Sequence, residues 1–221
     1  MSDPRARARD LARDSIERGD TTGWFEQLYR ESEREGFAIS WVDLAPNPYL
    51  VEWLERGARR PDQGDRALVV GCGYGDDAEL LAGYGYEVVA FDIAPTAVAR
   101  CRARFPESRV DYAVADALQL PAEWAGTFDF VFEAYTVQVL TGEARAACAT
   151  SIGRMIAAGG TLLVVARSRG TGDPEGQMPW PLTRAELDEF IVPGVRLAHL
   201  TELVEPGDPP VPRFVAEFVR A

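Results

Sequence analysis

The sequence predicts an α/β protein built on a doubly wound, seven-stranded sheet, mostly parallel and closed by a C-terminal antiparallel hairpin. Three observations predict it. Residues 66–92, RALVVGCGYGDDAELLAGYGYEVVAFD, read as strand, glycine turn, helix and strand, which is a right-handed parallel βαβ unit. Further short apolar runs alternate with helical patterns as far as residue 190, as crossover connections require. Two final strand patterns, 195–204 and 214–219, are joined by the Pro-rich turn 205–212, which predicts a hairpin.

In chain order, residues 1–19 mix Arg with Asp, Glu and Ala at helical spacing, which predicts a charged surface helix or a frayed tail, with acids that argue against a transit peptide. Thr21 or Thr22 is placed to cap a second helix carrying Trp24, Phe25, Leu28 and Tyr29 on one face. A third follows Pro48 with Tyr49, Leu50, Trp53 and Leu54, and ends before the turn 60–64. Residues 67–70 form the first strand, a helix starts near Asp76, and residues 87–91 form the second strand, closed by Asp92. A helix from Pro95 to Phe105, a strand at 110–115, a strand at 127–134, a helix at 142–157 ended by Gly159 and Gly160, and a strand at 161–166 complete the alternation. A long loop, 168–182, then leads to a capping box of Thr183 and Glu186 that opens the last helix.

Gly71, Gly73 and Gly75 let the backbone turn and approach a ligand at the carboxyl end of the first strand, the expected ligand edge of an open parallel sheet. Asp92 follows at the spacing that suits a ribose diol. A plain tight turn with a solvated Asp is the alternative, but turn, helix and terminal acid fall in the order that a nucleotide-like cofactor needs. The dinucleotide pattern wants a third glycine where this chain has Asp76, followed by Asp77. Two carboxylates in the first helical turn oppose a pyrophosphate. S-adenosylmethionine carries an ammonium, a sulfonium and a ribose with free hydroxyls, and tolerates them. Complementing the helix dipole explains the same two acids, though it does not restore the glycine.

These residues resemble the class I S-adenosylmethionine-dependent methyltransferases, a Rossmann-like family, and within it the thiopurine, thiol and halide branch. Val69 stands where most class I members carry an acid and that branch an apolar residue, and Asp77 fits the branch's Asp after the glycines. WVDLAPNPYL at 41–50, residues 128–145 and GQMPWPL at 176–182 are similar to further segments of the branch. The resemblance implies S-adenosylmethionine as cofactor, bound by Trp41, Gly71, Cys72, Gly73, Gly75, Asp77, Asp92, Ile93, Asp116, Ala117 and Glu133. Asp116 would meet the adenine amine, or else serve as a turn or cap residue. It implies Trp24, Phe25, Tyr135, Arg167 and Trp180 as acceptor-binding residues, with Glu133 and Tyr135 as positioning groups and no assigned catalytic base. Residues 1–60 would cover the site as a lid, or simply pack on the sheet, and residues 61–221 would form the methyltransferase domain as a single globular unit.

A net charge of -12 argues against nucleic acid, all 23 basic residues are Arg, which stays protonated and cannot act as a base, and no apolar run reaches the roughly 18 residues of a membrane span. A small-molecule acceptor, a monomer or homodimer, and a cytoplasmic location are expected. Cys72, Cys101 and Cys148 suggest neither a disulfide framework nor a metal site, and Cys72 reads as a small filler of the turn. The one His, His199, sits in a late strand pattern where packing suits it better than acid-base work. Displacement at a sulfonium-activated methyl needs alignment above all, and a thiol with a pKa of about 8.5 needs little help to ionise. A thiol acceptor is therefore preferred, with oxygen or nitrogen as the alternative. Asp76 argues against a nicotinamide oxidoreductase, and a silent cofactor-binding protein stays open.

Overall fold

The computed structural model describes residues 5–57 and 61–221. Seven strands form one sheet in the order β3-β2-β1-β4-β5-β7-β6. They are β1 (Arg66–Val70), β2 (Glu87–Asp92), β3 (Asp111–Val114), β4 (Phe128–Ala134), β5 (Ile156–Arg167), β6 (Val195–Glu205) and β7 (Val211–Arg220). β1 to β5 pair in parallel, and β7 runs antiparallel to both β5 and β6. The central strands are apolar without alternation because helices cover both faces. Leu68, Phe91, Val131 and Leu162 pack on one side with Cys148 and Ile152. Val69, Ala90, Phe132 and Leu163 pack on the other with Trp53, Leu81 and Val98.

Among the described residues seven helices surround the sheet: α1 (Ala6–Glu17), α2 (Trp24–Glu35), α3 (Pro48–Glu55), α4 (Asp76–Tyr84), α5 (Pro95–Arg104), α6 (Gly142–Gly153) and the short α7 (Arg184–Leu187). α1 is more than a charged surface helix: Ala8, Leu11 and Ala12 are buried against Trp24, Leu28 and Ile39. The opening four residues of that segment, and the first residue of the turn 60–64, lie outside the described residues. Neither Thr21 nor Thr22 caps α2. No side chain caps it; Asp20 instead closes the turn ahead of the helix, its Oδ1 accepting from the N–H groups of Thr22 and Gly23 at 3.1 and 2.8 Å.

α6 stops at Gly153 and not at 157, and β5 begins five residues ahead of the expected strand, at Ile156. Ile156 is fully buried and registers with Phe128, so core burial and pairing decide a stretch whose local pattern also suits a helix. β7 likewise begins at Val211, which shortens the expected hairpin turn. The capping box forms as predicted, with Thr183 and Glu186 serving each other's backbone, though only one α-turn follows before a 3-10 turn, Asp188–Phe190.

Candidate active site

A cavity of about 500 Å³ opens at the carboxyl edge of the parallel strands, a size suited to a small ligand. Gly71, Cys72, Gly73, Asp77, Asp92, Ile93, Asp116 and Ala117 line one end, together with Trp41 and Phe25. Tyr135, Arg167, Arg213 and Glu205 also line it, on or beside β4, β5, β7 and β6.

The glycine turn is held by a carboxylate at the end of β2. Asp92 is buried and accepts from the Gly73 N–H at 3.0 Å and the Ala94 N–H at 2.9 Å, and burial pushes its carboxyl up to about 6. Gly73 has a φ of +53°, and a side chain there would point into open space, with only the Tyr29 hydroxyl near at 3.6 Å. A ligand can therefore meet that backbone directly. Gly75 serves packing instead: at φ +91° a Cβ would stand 2.6 Å from the Tyr112 hydroxyl, and Gly75 does not line the cavity.

The two acids of the helix start divide their work. Asp76 is met by a two-pronged ion pair from Arg104, at 2.7 and 2.8 Å, so more than the helix dipole balances it. Asp77 accepts from the Asn47 N–H at 2.6 Å, tying the segment that carries Trp41 to the start of α4, and burial lifts its carboxyl to about 6. Asp116 accepts from the Leu118 N–H at 2.8 Å, the turn role weighed for it, while still lining the cavity.

Glu133 takes a place the sequence does not indicate. It is 0% exposed and does not line the cavity; its Oε1 accepts from the Thr136 and Val137 N–H groups at 2.7 and 3.1 Å, while Oε2 has no partner. Burial drives its carboxyl up to about 7. The turn it caps presents Tyr135 at a φ of +63°, a costly conformation for a non-glycine residue that persists where surrounding bonds enforce it. Trp24 is buried, stacked on Phe25 with centroids 3.8 Å apart, and lies behind the cavity wall. Trp180 is also set back from the lining. Trp41 is 36% exposed, and its indole donates to the Tyr29 hydroxyl at 3.2 Å.

Two organisers carry no sequence signal. Gln138 is fully buried and donates to the carbonyls of Arg167 and Trp180 at 3.1 and 2.8 Å, while its Oε1 accepts from the Arg167 N–H at 2.7 Å. It thereby fixes the end of β5 against the long loop. Glu205 pairs with Arg213 and accepts from the Tyr49 hydroxyl at 2.6 Å, and the Arg213 guanidinium lies 5.1 Å over the Tyr135 ring. His199 is exposed on the edge strand β6, 3.2 Å from the Thr201 hydroxyl, and is no part of the cavity.

Residues 68–164 match the family model described as Methyltransferase domain. Over 116 residues the chain is 43% identical to the ubiquinone biosynthesis O-methyltransferase of Xanthomonas axonopodis pv. citri (strain 306), covering 47% of this chain and 48% of that protein. It is 27% identical over 172 residues to the 2-heptyl-1-hydroxyquinolin-4(1H)-one methyltransferase of Mycobacteroides abscessus, covering 76% of this chain and 74% of that protein. The chain thus spans about half the length of the ubiquinone relatives it matches. The crystal structure of the N-methyltransferase NodS from Bradyrhizobium japonicum WM9, in complex with S-adenosyl-L-homocysteine, shares the fold, with a TM-score of 0.65 at 20% identity over 87% of this chain and 97% of that one. Sheet order and glycine turn are those of a Rossmann-like methyltransferase fold, and residues 68–164 are similar to the methyltransferase domain family. The open backbone at Gly73 beside buried Asp92 fits S-adenosylmethionine, the cofactor of such domains.

Proposed function

We propose that the protein methylates a small-molecule acceptor whose nucleophile ionises without a protein base, a thiol before any other. Bound S-adenosylmethionine supplies a methyl group on a positively charged sulfur leaving group. Gly71, Gly73, Asp92, Ile93, Asp116 and Ala117 would hold it, while Tyr135 and Arg167 would meet the acceptor. Residues 1–60 would act as the cover and 61–221 as the catalytic domain, a division supported by Phe25 and Trp41 in the cavity wall. The free thiols of Cys72, Cys101 and Cys148 suit the cytoplasm as its place.

The carrying observation is that no His lines the cavity among the described residues, so that only carboxylates and Tyr135 remain as candidate bases where the acceptor would sit. Arg167 and Arg213 stay protonated. Glu205 is held below the ordinary carboxylate range, first by its bond from Arg213, and burial pushes the Tyr135 phenol up. His199 is elsewhere. The protein's part is then to align and to exclude water.

An acidic phenol or enol is the second reading, favoured by the relatives described as ubiquinone biosynthesis O-methyltransferases. The sulfur reading rests on that lining without a His and on the resemblance of residues 41–50 and 176–182 to the thiopurine, thiol and halide branch. A panel of thiols, halides, phenols and amines, incubated with labelled S-adenosylmethionine and scored by product mass, decides between them. Methylated thiols as the best products uphold the preference, phenol ethers move it to oxygen, and methylated amines alone remove the reading.

A further inference from the structure

We infer that the acceptor brings an anionic group of its own, a carboxylate or its equivalent, and that Arg167 at the end of β5 holds it. This rests on the acceptor site proposed above.

Two arginines leave β5, and they differ in company. Arg169 is ion-paired to Glu186 at 3.1 Å. Arg167 lines the cavity, its backbone is pinned on both sides by Gln138, and no carboxylate pairs with its guanidinium among the described residues. Burial lowers its pKa first, followed by Arg5, Arg213 and Arg9, and the opposing groups are Tyr135 and Glu205, of which Glu205 is already ion-paired to Arg213. Arg213 lines the same cavity, but Glu205 already answers it. In a chain with a net charge of -12, a half-buried guanidinium facing a cavity beside other arginines is an unbalanced cation, and a ligand anion is what balances it.

Position along the sheet assigns that anion to the acceptor. Asp92 ends β2 and Asp116 follows β3, on the far side of β1, whereas β4 separates β1 from β5. The proposed cofactor therefore occupies the acidic end, and Arg167 stands beyond Tyr135, where the acceptor would lie. A planar guanidinium gripping a carboxylate also fixes orientation, which an in-line displacement needs.

The test compares 4-mercaptobenzoate with 4-mercaptobenzamide, alike in shape and thiol chemistry but not in charge. It is run on the wild type, Arg167→Gln and Arg167→Lys, alongside calorimetry of benzoate binding to protein saturated with S-adenosylhomocysteine. The expected result is a kcat/KM at least about tenfold higher for the carboxylate in the wild type. The ratio should collapse toward one in Arg167→Gln and recover in part in Arg167→Lys, and benzoate binding should follow it. A wild-type ratio near one, or one that Arg167→Gln leaves unchanged, overturns the inference while the methyl transfer reading stands. Weaker S-adenosylhomocysteine binding in Arg167→Gln with the ratio intact assigns the cation to the cofactor and also overturns it. If neither thiol is methylated, the acceptor chemistry proposed above fails, and benzoate binding alone decides: Arg167-dependent binding upholds the anion site, and its absence removes it.

Discussion

The two ends of the cavity share one sheet edge and are built in opposite ways. At the β1-β2-β3 end the charges are carboxylates, and Asp77, Asp92 and Asp116 each accept from a backbone N–H within the turns or from a neighbouring segment. At the β4-β5-β7 end two guanidiniums face the cavity, Arg167 with its backbone held by Gln138 and Arg213 ion-paired to Glu205 across the β6-β7 hairpin. The first end meets its ligand with backbone and carboxylates and suits a ligand of fixed structure. The second meets it with side chains, Tyr135 and two arginines, and it is where one sheet can be refitted to a different acceptor.

The largest effect is expected from breaking the acidic end. Asp92→Ala removes the acceptor of two backbone bonds and the proposed ribose contact at once, and charge-assisted bonds are worth about 1.5–3 kcal/mol each. Affinity for S-adenosylmethionine, read by calorimetry, should fall at least about tenfold, with a lower urea midpoint. Unchanged affinity in a folded variant would remove Asp92 from the cofactor site.

Glu133 sharpens the contrast at the other end. Its folded pKa of about 7 lies above its ordinary 4.5, so the folded state favours the protonated form. Its contribution to stability is full below pH 4.5 and is lost as pH rises to about 7. Against Glu133→Gln, the wild type should lose up to about 3 kcal/mol across that window, since one pKa unit is worth about 1.36 kcal/mol. Urea unfolding of both proteins at pH 5 and pH 8 measures it, and parallel profiles would show that Glu133 does not titrate there.

A smaller effect is expected at the cover. With S-adenosylhomocysteine bound, cleavage in residues 5–45 and 168–182 should slow several-fold and tryptophan emission should shift, because Trp41 lies at the cavity wall. No change would make these segments fixed packing.

The same comparison explains what the sequence could disclose. The glycine turn, its terminal acid and the capping box of Thr183 and Glu186 are local, so spacing alone reveals them. Gln138 and Glu205 act on residues 29 and 156 positions away, at Arg167 and Tyr49, and nothing in their neighbourhood marks them. Glu133 was legible as a residue near the site but not as a buried cap beneath it, since its partners lie in a turn with no motif. Ile156 pairs in the sheet where the local pattern continued a helix, an outcome set by its burial opposite Phe128. Neither Thr21 nor Thr22 caps α2, because Asp20 folds the preceding residues into a turn that leaves Gly23 at the cap position.

The most direct test of the central claim, an acceptor end that aligns an ionised nucleophile and supplies no base, is the pH dependence of kcat/KM for two thiols of different acidity, in the wild type and in His199→Ala. The limb should track each thiol's own pKa and stay the same in His199→Ala. A limb fixed at one pH for both acceptors, and lost in His199→Ala, would contradict the claim and make the histidine on the edge strand the base.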